Sequence, residues 1–153
     1  MWRFLYILLL LSLLSLSSCD HWAKVDVYEL PSPYTIEVKG EEYEWHIRYP
    51  GRDGQLHTDD DVSTQQHIHL PENTKVNITI NSSDYLYFLE LPDFRQIGMA
   101  VPEMEHFIEI TTKTAGEFKI RGDQMCGYTH ESLYGILTVE SPRRFHRWLA
   151  QQH

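Results

Sequence analysis

The sequence predicts an all-β sandwich or barrel followed by one short helix. Between residues 34 and 139, apolar and polar side chains alternate in short runs, as they do along strands with one buried face. Clusters of Pro, Gly, Asn and Asp separate these runs at the short intervals typical of all-β domains. Only residues 142–152 have helical spacing. A chain of 153 residues has room for one such domain, with a core that needs no disulfide support.

The first 19 residues are predicted to be an export signal. Residues 4–16 are almost entirely apolar, but the run is too short to cross a bilayer comfortably as a helix. It ends in Leu-Ser-Ser-Cys, which resembles a bacterial lipobox, so Cys19 is the predicted lipidation site. Asp20 resembles the residue that keeps such lipoproteins on the inner membrane, which predicts a lipid anchor on the periplasmic side of the cell membrane. An ordinary signal peptide or a slightly short membrane helix is the alternative.

Residues 20–33 are predicted to be a linker, and residues 34–153 the folded domain. The linker ends in Pro-Ser-Pro, which disfavours a helix and suits an extended segment. A turn at residues 39–41 joins the first two strands, and residues 50–66 form a polar loop over the surface. The predicted strands are 34–38, 43–49, 67–70, 75–81, 85–91, 106–111, 116–121 and 134–139.

The last predicted element is the helix. Trp148 and Leu149 follow Phe145 by three and four residues, which places all three on one apolar stripe. We expect this stripe to pack on the sandwich or on a membrane surface.

Charge and cysteine content narrow the classes of function. The chain carries 13 Lys and Arg against 22 Asp and Glu, a formal net charge of −9. Such a surface repels phosphate backbones and attracts basic proteins, so no nucleic acid is expected as a partner. Once Cys19 is acylated, Cys126 is the only thiol left, and an intramolecular disulfide cannot form. The sequence has no Gly-rich phosphate loop and no metalloprotease or Ser/His/Asp motif, so no catalytic residue is predicted.

Several segments resemble one family in the same order. Residues 40–50 resemble the aromatic strand of cytochrome c oxidase subunit II, with Tyr43 at the family's first tryptophan and Trp45 two residues later. Residues 69–76, 81–84, 101–102, 114–118 and 145–149 resemble further segments of that family. Cys-Gly-x-x-His at residues 126–130 is the most specific element, because this loop carries most of the family's metal ligands. From residue 34 to 149 the chain resembles the copper-A domain, which implies a cupredoxin-like Greek-key sandwich.

The resemblance also implies a copper site, which this sequence keeps only in part. The family's binuclear centre uses two bridging cysteines, two histidines, one methionine and one backbone carbonyl. Cys126, His130 and the backbone carbonyl of Gln124 match three of these positions.

The other three ligand positions have changed. The first cysteine falls at Gly122, the methionine at Leu133, and the upstream histidine, by counting, at Tyr87. Two bridging sulfurs are needed to hold the two copper ions of such a centre together, and one thiolate cannot supply this closed arrangement, so the sequence predicts one copper ion or none.

A single copper on Cys126 and His130 needs a third ligand. The candidates are Tyr87, Asp84, Met125, Met99 and His106. Alternatively, Cys126 is a small buried residue or a reactive thiol, and His130 is a structural loop histidine.

Two other groups of polar residues have structural interpretations. His67 and His69 share one strand face, and His69 matches a family position that binds no copper. The aspartates at 59–61 lack the spacing and turn glycine of a calcium loop, so a solvated loop is expected, which could contact a basic partner.

Three functions fit these observations. The first is electron transfer with a haem-copper oxidase: the domain docks a cytochrome c-like protein on its acidic face, and electrons enter through Tyr43 or Trp45. The second is a copper-free structural subunit such as that of quinol oxidases. The third is a periplasmic lipoprotein that delivers copper from the loop of Cys126 and His130.

Overall fold

The computed structural model describes residues 27–124 and 130–152. Within these ranges the chain forms ten strands and one α-helix, α1 (Pro142–Ala150). The strands are β1 (Tyr34–Glu41), β2 (Glu44–Tyr49), β3 (Val62–Gln65), β4 (Ile68–Pro71), β5 (Thr74–Ser82), β6 (Tyr87–Leu91), β7 (Gln96–Ala100), β8 (His106–Thr112), β9 (Gly116–Gln124) and β10 (Gly135–Glu140). Short 3₁₀ turns lie at Pro92–Phe94 and Glu131–Leu133.

The strands form two five-stranded sheets, and the predicted all-β sandwich is confirmed. One sheet has the order β3-β2-β1-β5-β8, and the other has the order β4-β10-β9-β6-β7. β1 runs parallel to β5 and β10 parallel to β4, whereas the remaining pairs are antiparallel. Strands distant in sequence are therefore neighbours, as in Greek-key connections.

The core lies between the sheets and follows from the alternation in the sequence. In β5, Val76, Ile78 and Ile80 are buried, while the residues between them, Asn77 and Thr79, face the other side and are partly buried. Burying each such side chain contributes about 1.5–3 kcal/mol. Large aromatic residues fill the rest of the core, among them Tyr34, Trp45, Tyr49, Tyr87 and Phe145.

Helix α1 covers one end of this core. Phe145 and Leu149 are buried, and Phe145 meets the ring of Tyr34 edge to face at 5.7 Å. Trp148 is half-buried and stacks on His69, with ring centroids 4.1 Å apart. The predicted apolar stripe therefore packs on the sandwich. No helix among the described residues is long and apolar enough to span a bilayer.

Part of the predicted linker also lies against the folded domain. Leu30 packs on the core, and the ring of Tyr28 meets that of His146 in α1 at 4.4 Å. The predicted export signal and Cys19 lie outside the described residues.

The first hairpin turn was predicted in the wrong place. β1 continues through residues 39–41, and Glu42 and Tyr43 form the turn with φ of 50° and 65°. Two left-handed residues give a turn that matches the twist of the strands, usually made by Asn-Gly. Gly40 has another role: a Cβ there would lie 2.5 Å from the Tyr87 ring, so glycine permits this close approach.

Two strands were not predicted. β3 lies in the segment assigned to the polar loop, and Val62 is its only apolar residue, so it shows no alternation. In β7 the usual pattern is inverted, since Ile97 and Met99 are exposed while Gly98 and Ala100 face the core. The side chain of Ile80 occupies the space that a larger residue at Gly98 would need.

Candidate metal centre

Tyr43, Tyr87, Gln124 and His130, the described members of the predicted site, lie at one end of the sandwich, opposite the end covered by α1. The turn between β1 and β2 brings Tyr43 there, β6 begins there with Tyr87, and β9 ends there at Gln124. The Cα positions of Tyr87 and Gln124 are directly paired across the two strands. Residues 130–133 lie over the same end, where Leu133 and Ser132 hydrogen-bond to β2 and to the turn before it. Cys126 lies outside the described residues.

His130 is held against Tyr43. It is half-buried and precedes the 3₁₀ turn, whose Leu133 amide donates to the His130 carbonyl at 3.0 Å. The two rings are stacked, with centroids 4.2 Å apart and planes inclined by 24°. Ser132 strengthens the contact by donating from its Oγ to the Tyr43 carbonyl at 2.6 Å. The retained histidine and the residue at the family's first tryptophan are therefore in direct contact.

Tyr85 extends this stack toward solvent. Its ring is stacked with Tyr43 at a centroid distance of 5.3 Å, and the residue is 47% exposed. Three rings, Tyr85, Tyr43 and His130, thus form a continuous series of aromatic contacts. Neither Tyr85 nor Ser132 was singled out from the sequence, because both act through residues more than 40 positions away along the chain.

Tyr87, which the sequence predicts to stand at the family's upstream histidine, is completely buried. Its hydroxyl donates to Asp84 Oδ1 at 2.8 Å and accepts from the Tyr43 amide at 3.2 Å. Burial, with a further contribution from the Asp84 carboxylate, raises the pKa of Tyr87 above its ordinary value. A phenol held neutral, with its hydroxyl already engaged on both sides, is a poor copper ligand.

Asp84 organises the loop before β6. It accepts hydrogen bonds at 2.7 Å from the amides of Glu42 and Tyr85, besides the one from Tyr87. Partial burial by itself would raise the pKa of Asp84, but these hydrogen bonds and that of Ser82 outweigh it and hold the pKa below its usual range. The Asp84 carboxylate therefore already accepts hydrogen bonds from the β1–β2 turn, from Tyr85 and from Tyr87.

The positions of the missing cysteine and methionine are closed by packing. Trp45 is buried, and its Nε1 donates to the Leu133 carbonyl at 2.9 Å. A Cβ at Gly122 would lie 2.6 Å from that carbonyl oxygen and 2.7 Å from Trp45 Nε1. Leu133 itself is fully buried. Any side chain at position 122 would therefore require the turn at Glu131–Leu133 to move.

Two other candidate ligands, Met99 and His106, lie away from this site, and Met125 lies outside the described residues. Met99 points outward from edge strand β7, and His106 lies on β8, which β5 separates from β1. His67 Nδ1 hydrogen-bonds the Ile136 amide, and His69 pairs with Glu140 at 3.1 Å. Among the described residues, no three His, Cys, Asp or Glu side chains come together as a metal site.

The aspartate run at 59–61 ties its own loop together. Asp60 accepts from the amide of Arg52 and the hydroxyl of Thr58, and Asp61 accepts from the amide of His57. The carboxylates thus have loop hydrogen bonds rather than a preformed calcium geometry.

The residues present do not fit a binuclear copper centre. The positions predicted for its second bridging sulfur, its methionine and its second histidine hold Gly122, Leu133 and Tyr87, and all three residues are buried. A single copper ion needs fewer ligands than a binuclear centre. His130 supplies an imidazole at a half-buried position, and Cys126, which could supply a soft thiolate, is four residues away in sequence.

Comparison with known sequences supports the resemblance. The chain is 28% identical over 139 residues to the alternative cytochrome c oxidase subunit 2 of Bradyrhizobium diazoefficiens, covering 76% of this chain and 50% of that protein. It is 24% identical over 160 residues to the probable cytochrome c oxidase subunit 2 of Rickettsia bellii, covering 96% of this chain and 58% of that protein. The chain thus spans about half the length of the curated relatives it matches. No protein-family model matches the sequence.

Solved structures establish the fold. The periplasmic domain of cytochrome oxidase subunit II from Bradyrhizobium japonicum superposes with a TM-score of 0.68 at 17% identity, covering 81% of this chain and 96% of that one. Cytochrome c oxidase subunit II in a mixed disulfide with a thioredoxin-like protein gives a TM-score of 0.65 at 17% identity, covering 81% and 95%. The predicted cupredoxin-like sandwich and its resemblance to the subunit II domain are confirmed.

Proposed function

We propose that this cupredoxin-like domain, which is related to subunit II of haem-copper oxidases, transfers electrons and holds one copper ion through Cys126 and His130. The observation that carries the proposal is the stack of Tyr43 on His130 at 4.2 Å. The residue expected to receive electrons is in contact with the residue expected to bind the metal. A copper ion with thiolate and imidazole ligands would supply one-electron exchange near neutral pH.

The surrounding residues have defined tasks in this proposal. Tyr43 links the protein surface to His130, whereas buried Trp45 fixes the turn before β10 through its bond to Leu133. Of the two residues named from the sequence for electron uptake, Tyr43 is therefore the better placed. The backbone carbonyl of Gln124, at the end of β9, is the proposed further ligand.

The relatives and the charge support the proposed location and partners. The solved neighbour is a periplasmic domain, and a lipid on Cys19 would hold this domain at the extracytoplasmic side of the cell membrane. Partners are a haem-copper oxidase catalytic subunit or a basic cytochrome c-like protein, since the chain has a formal net charge of −9.

A copper-free structural subunit is the second candidate. The observation that favours it is the tight packing around Gly122, together with the buried Tyr87. Core packing fills these predicted ligand positions, so the sandwich needs no metal ligand there. In that case the domain acts only through protein contacts with an oxidase.

Copper stoichiometry distinguishes the two candidates. The purified protein is loaded with copper and studied by elemental analysis, visible spectroscopy and electron paramagnetic resonance. We expect one copper per chain and a sulfur charge-transfer band that Cys126→Ser abolishes and His130→Ala weakens. His46→Ala, a half-buried histidine on β2, is the matched control and should leave the spectrum unchanged.

Each other result has a definite meaning. Two coppers sharing an electron would contradict the ligand assignment, and no bound copper would favour the structural subunit. Weakly held Cu(I) that moves readily to an acceptor protein would indicate copper delivery. In the loaded protein, Tyr43→Leu should slow reduction by ferrocytochrome c while the copper content stays the same; an unchanged rate would remove Tyr43 from the electron path.

A further inference from the structure

Helix α1 presents arginines to solvent on an otherwise acidic protein. Phe145, His146 and Leu149 face the sandwich and are buried, which fixes the rotation of the helix. Arg143, Arg144 and Arg147 are consequently exposed. Because the apolar side of α1 packs on the sandwich, its arginine side faces the solvent.

The charge of this helix contrasts with the rest of the chain. No Asp or Glu follows Glu140 in the sequence, although acidic residues outnumber basic ones by 22 to 13 overall. Arg144 forms an ion pair with Glu140 at 3.7 Å, but its side chain is 76% exposed, so the pair does not withdraw it from other anions. The groove beside the helix carries Glu29 and Glu72 as well as Lys75, so the excess positive charge is on the helix itself.

The chain arriving from the predicted lipid anchor reaches the domain at this helix. Tyr28 packs on His146, and Val27 lines the same groove as Pro142. Between Cys19 and Val27 the chain can span no more than about 28 Å when fully extended. A lipid on Cys19 therefore keeps α1 close to the membrane surface.

We propose that the arginine face of α1 contacts the anionic headgroups of the membrane that anchors the protein. The inference rests on the lipid anchor of the proposed function. Anionic phospholipid attracts the three guanidinium groups and repels the acidic remainder of the domain, so the two effects favour the same orientation. Anchoring by lipid combined with a cationic patch is a common pair of membrane signals.

This orientation leaves the candidate metal centre accessible to a protein partner. Tyr34 at the start of β1 contacts α1, whereas Tyr43 follows the end of the same strand. Lipid contact through α1 therefore does not cover Tyr43 or Tyr85.

Arginine footprinting on vesicles tests the proposal. The full-length lipidated protein is incorporated into phosphatidylcholine vesicles with and without phosphatidylglycerol and treated with phenylglyoxal, and labelling is read at each arginine by mass spectrometry. We expect Arg143, Arg144 and Arg147 to react at least about tenfold more slowly on the anionic vesicles, with the protection lost in high salt. Arg95 and Arg121, which are exposed on other parts of the surface, are internal references and should react equally on both vesicles.

A charge-matched pair of variants separates this face from general electrostatics. Lys75, an exposed residue in the groove beside the helix, is kept in all variants and reports the same contact through its rate of acetylation. Replacing Arg143, Arg144 and Arg147 by Gln should abolish the difference in Lys75 acetylation between the two vesicle types. The control replaces Arg95, Lys119 and Arg121 by Gln, which removes the same charge from exposed positions away from the helix and should preserve that difference.

The outcomes identify which idea fails. Protein that does not float with either vesicle contradicts the lipid anchor. Protein that floats but keeps the three helix arginines fully reactive overturns the proposed headgroup contact. Protection that requires an added oxidase subunit rather than phosphatidylglycerol also overturns it, because the face would then bind protein.

Discussion

The hydrogen bond from Trp45 to Leu133 offers the sharpest test of how this scaffold is held together. Trp45 is only 1% exposed, and its Nε1 donates to a carbonyl at 2.9 Å in a buried environment. Trp45→Phe keeps an aromatic ring in the core but removes the donor. The Leu133 carbonyl then loses a buried partner, and the smaller ring leaves a void beside Gly122.

The expected loss of stability follows from these two effects. A buried carbonyl left without its donor costs about 1–3 kcal/mol. The void adds roughly 1 kcal/mol, as for other large-to-small changes in a core. We therefore expect the free energy of unfolding to fall by about 2–4 kcal/mol, which lowers Tm by roughly 5–15 °C for a domain of this size.

Urea denaturation followed by far-ultraviolet circular dichroism measures this difference. Trp148→Phe is the matched control, because it trims a half-buried indole at the other end of the sandwich and should cost less than about 1.5 kcal/mol. The His130 proton resonances should also shift in Trp45→Phe, since residues 130–133 share one turn. The reasoning is refuted if Trp45→Phe costs no more than Trp148→Phe.

Two further predictions concern packing and pH. Gly122→Ala should destabilise the domain by about 1–3 kcal/mol in the same denaturation assay, because its Cβ would overlap the Leu133 carbonyl. Gly116→Ala is the control and should be tolerated, since the nearest atom to its Cβ lies 3.6 Å away. Equal effects of the two substitutions would contradict the packing argument. Burial lowers the pKa of His146 despite an opposing hydrogen bond with the Tyr28 backbone. As the pH drops below about 6.5, the unfolded chain therefore takes up the proton before the folded protein does, and the free energy of unfolding should fall toward the lowered folded-state pKa. His146→Gln should flatten this dependence on pH, and an unchanged dependence would show that another group causes it.

Much of the fold was predictable from local pattern. In β5 the alternation of apolar and polar residues reflects one buried face, so strand type and facing could be read from the sequence. The turn at Glu42 and Tyr43 could not, because neither residue signals a left-handed conformation. β7 was missed for a different reason: Ile80 of the other sheet decides that Gly98 faces the core, and this contact is not local.

The site was predictable only in its parts. The resemblance identified His130 and Tyr43 separately, one from the metal loop and the other from the aromatic strand. Their stacking depends on the approach of segments 87 residues apart, and periodicity carries no information about it. The same applies to Tyr85, because its stacking on Tyr43 depends on how the loop before β6 folds.

The hydrogen bonds around Asp84 connect the described segments at this end of the sandwich without a metal ligand. A binuclear centre would tie the loops together through its ligands, but here Asp84 joins the β1–β2 turn through Glu42 and the start of β6 through Tyr85 and Tyr87. Trp45 ties the remaining segment through Leu133. Because these contacts connect the same segments without copper, loss of the metal from Cys126 and His130 should change electron transfer while leaving the fold intact.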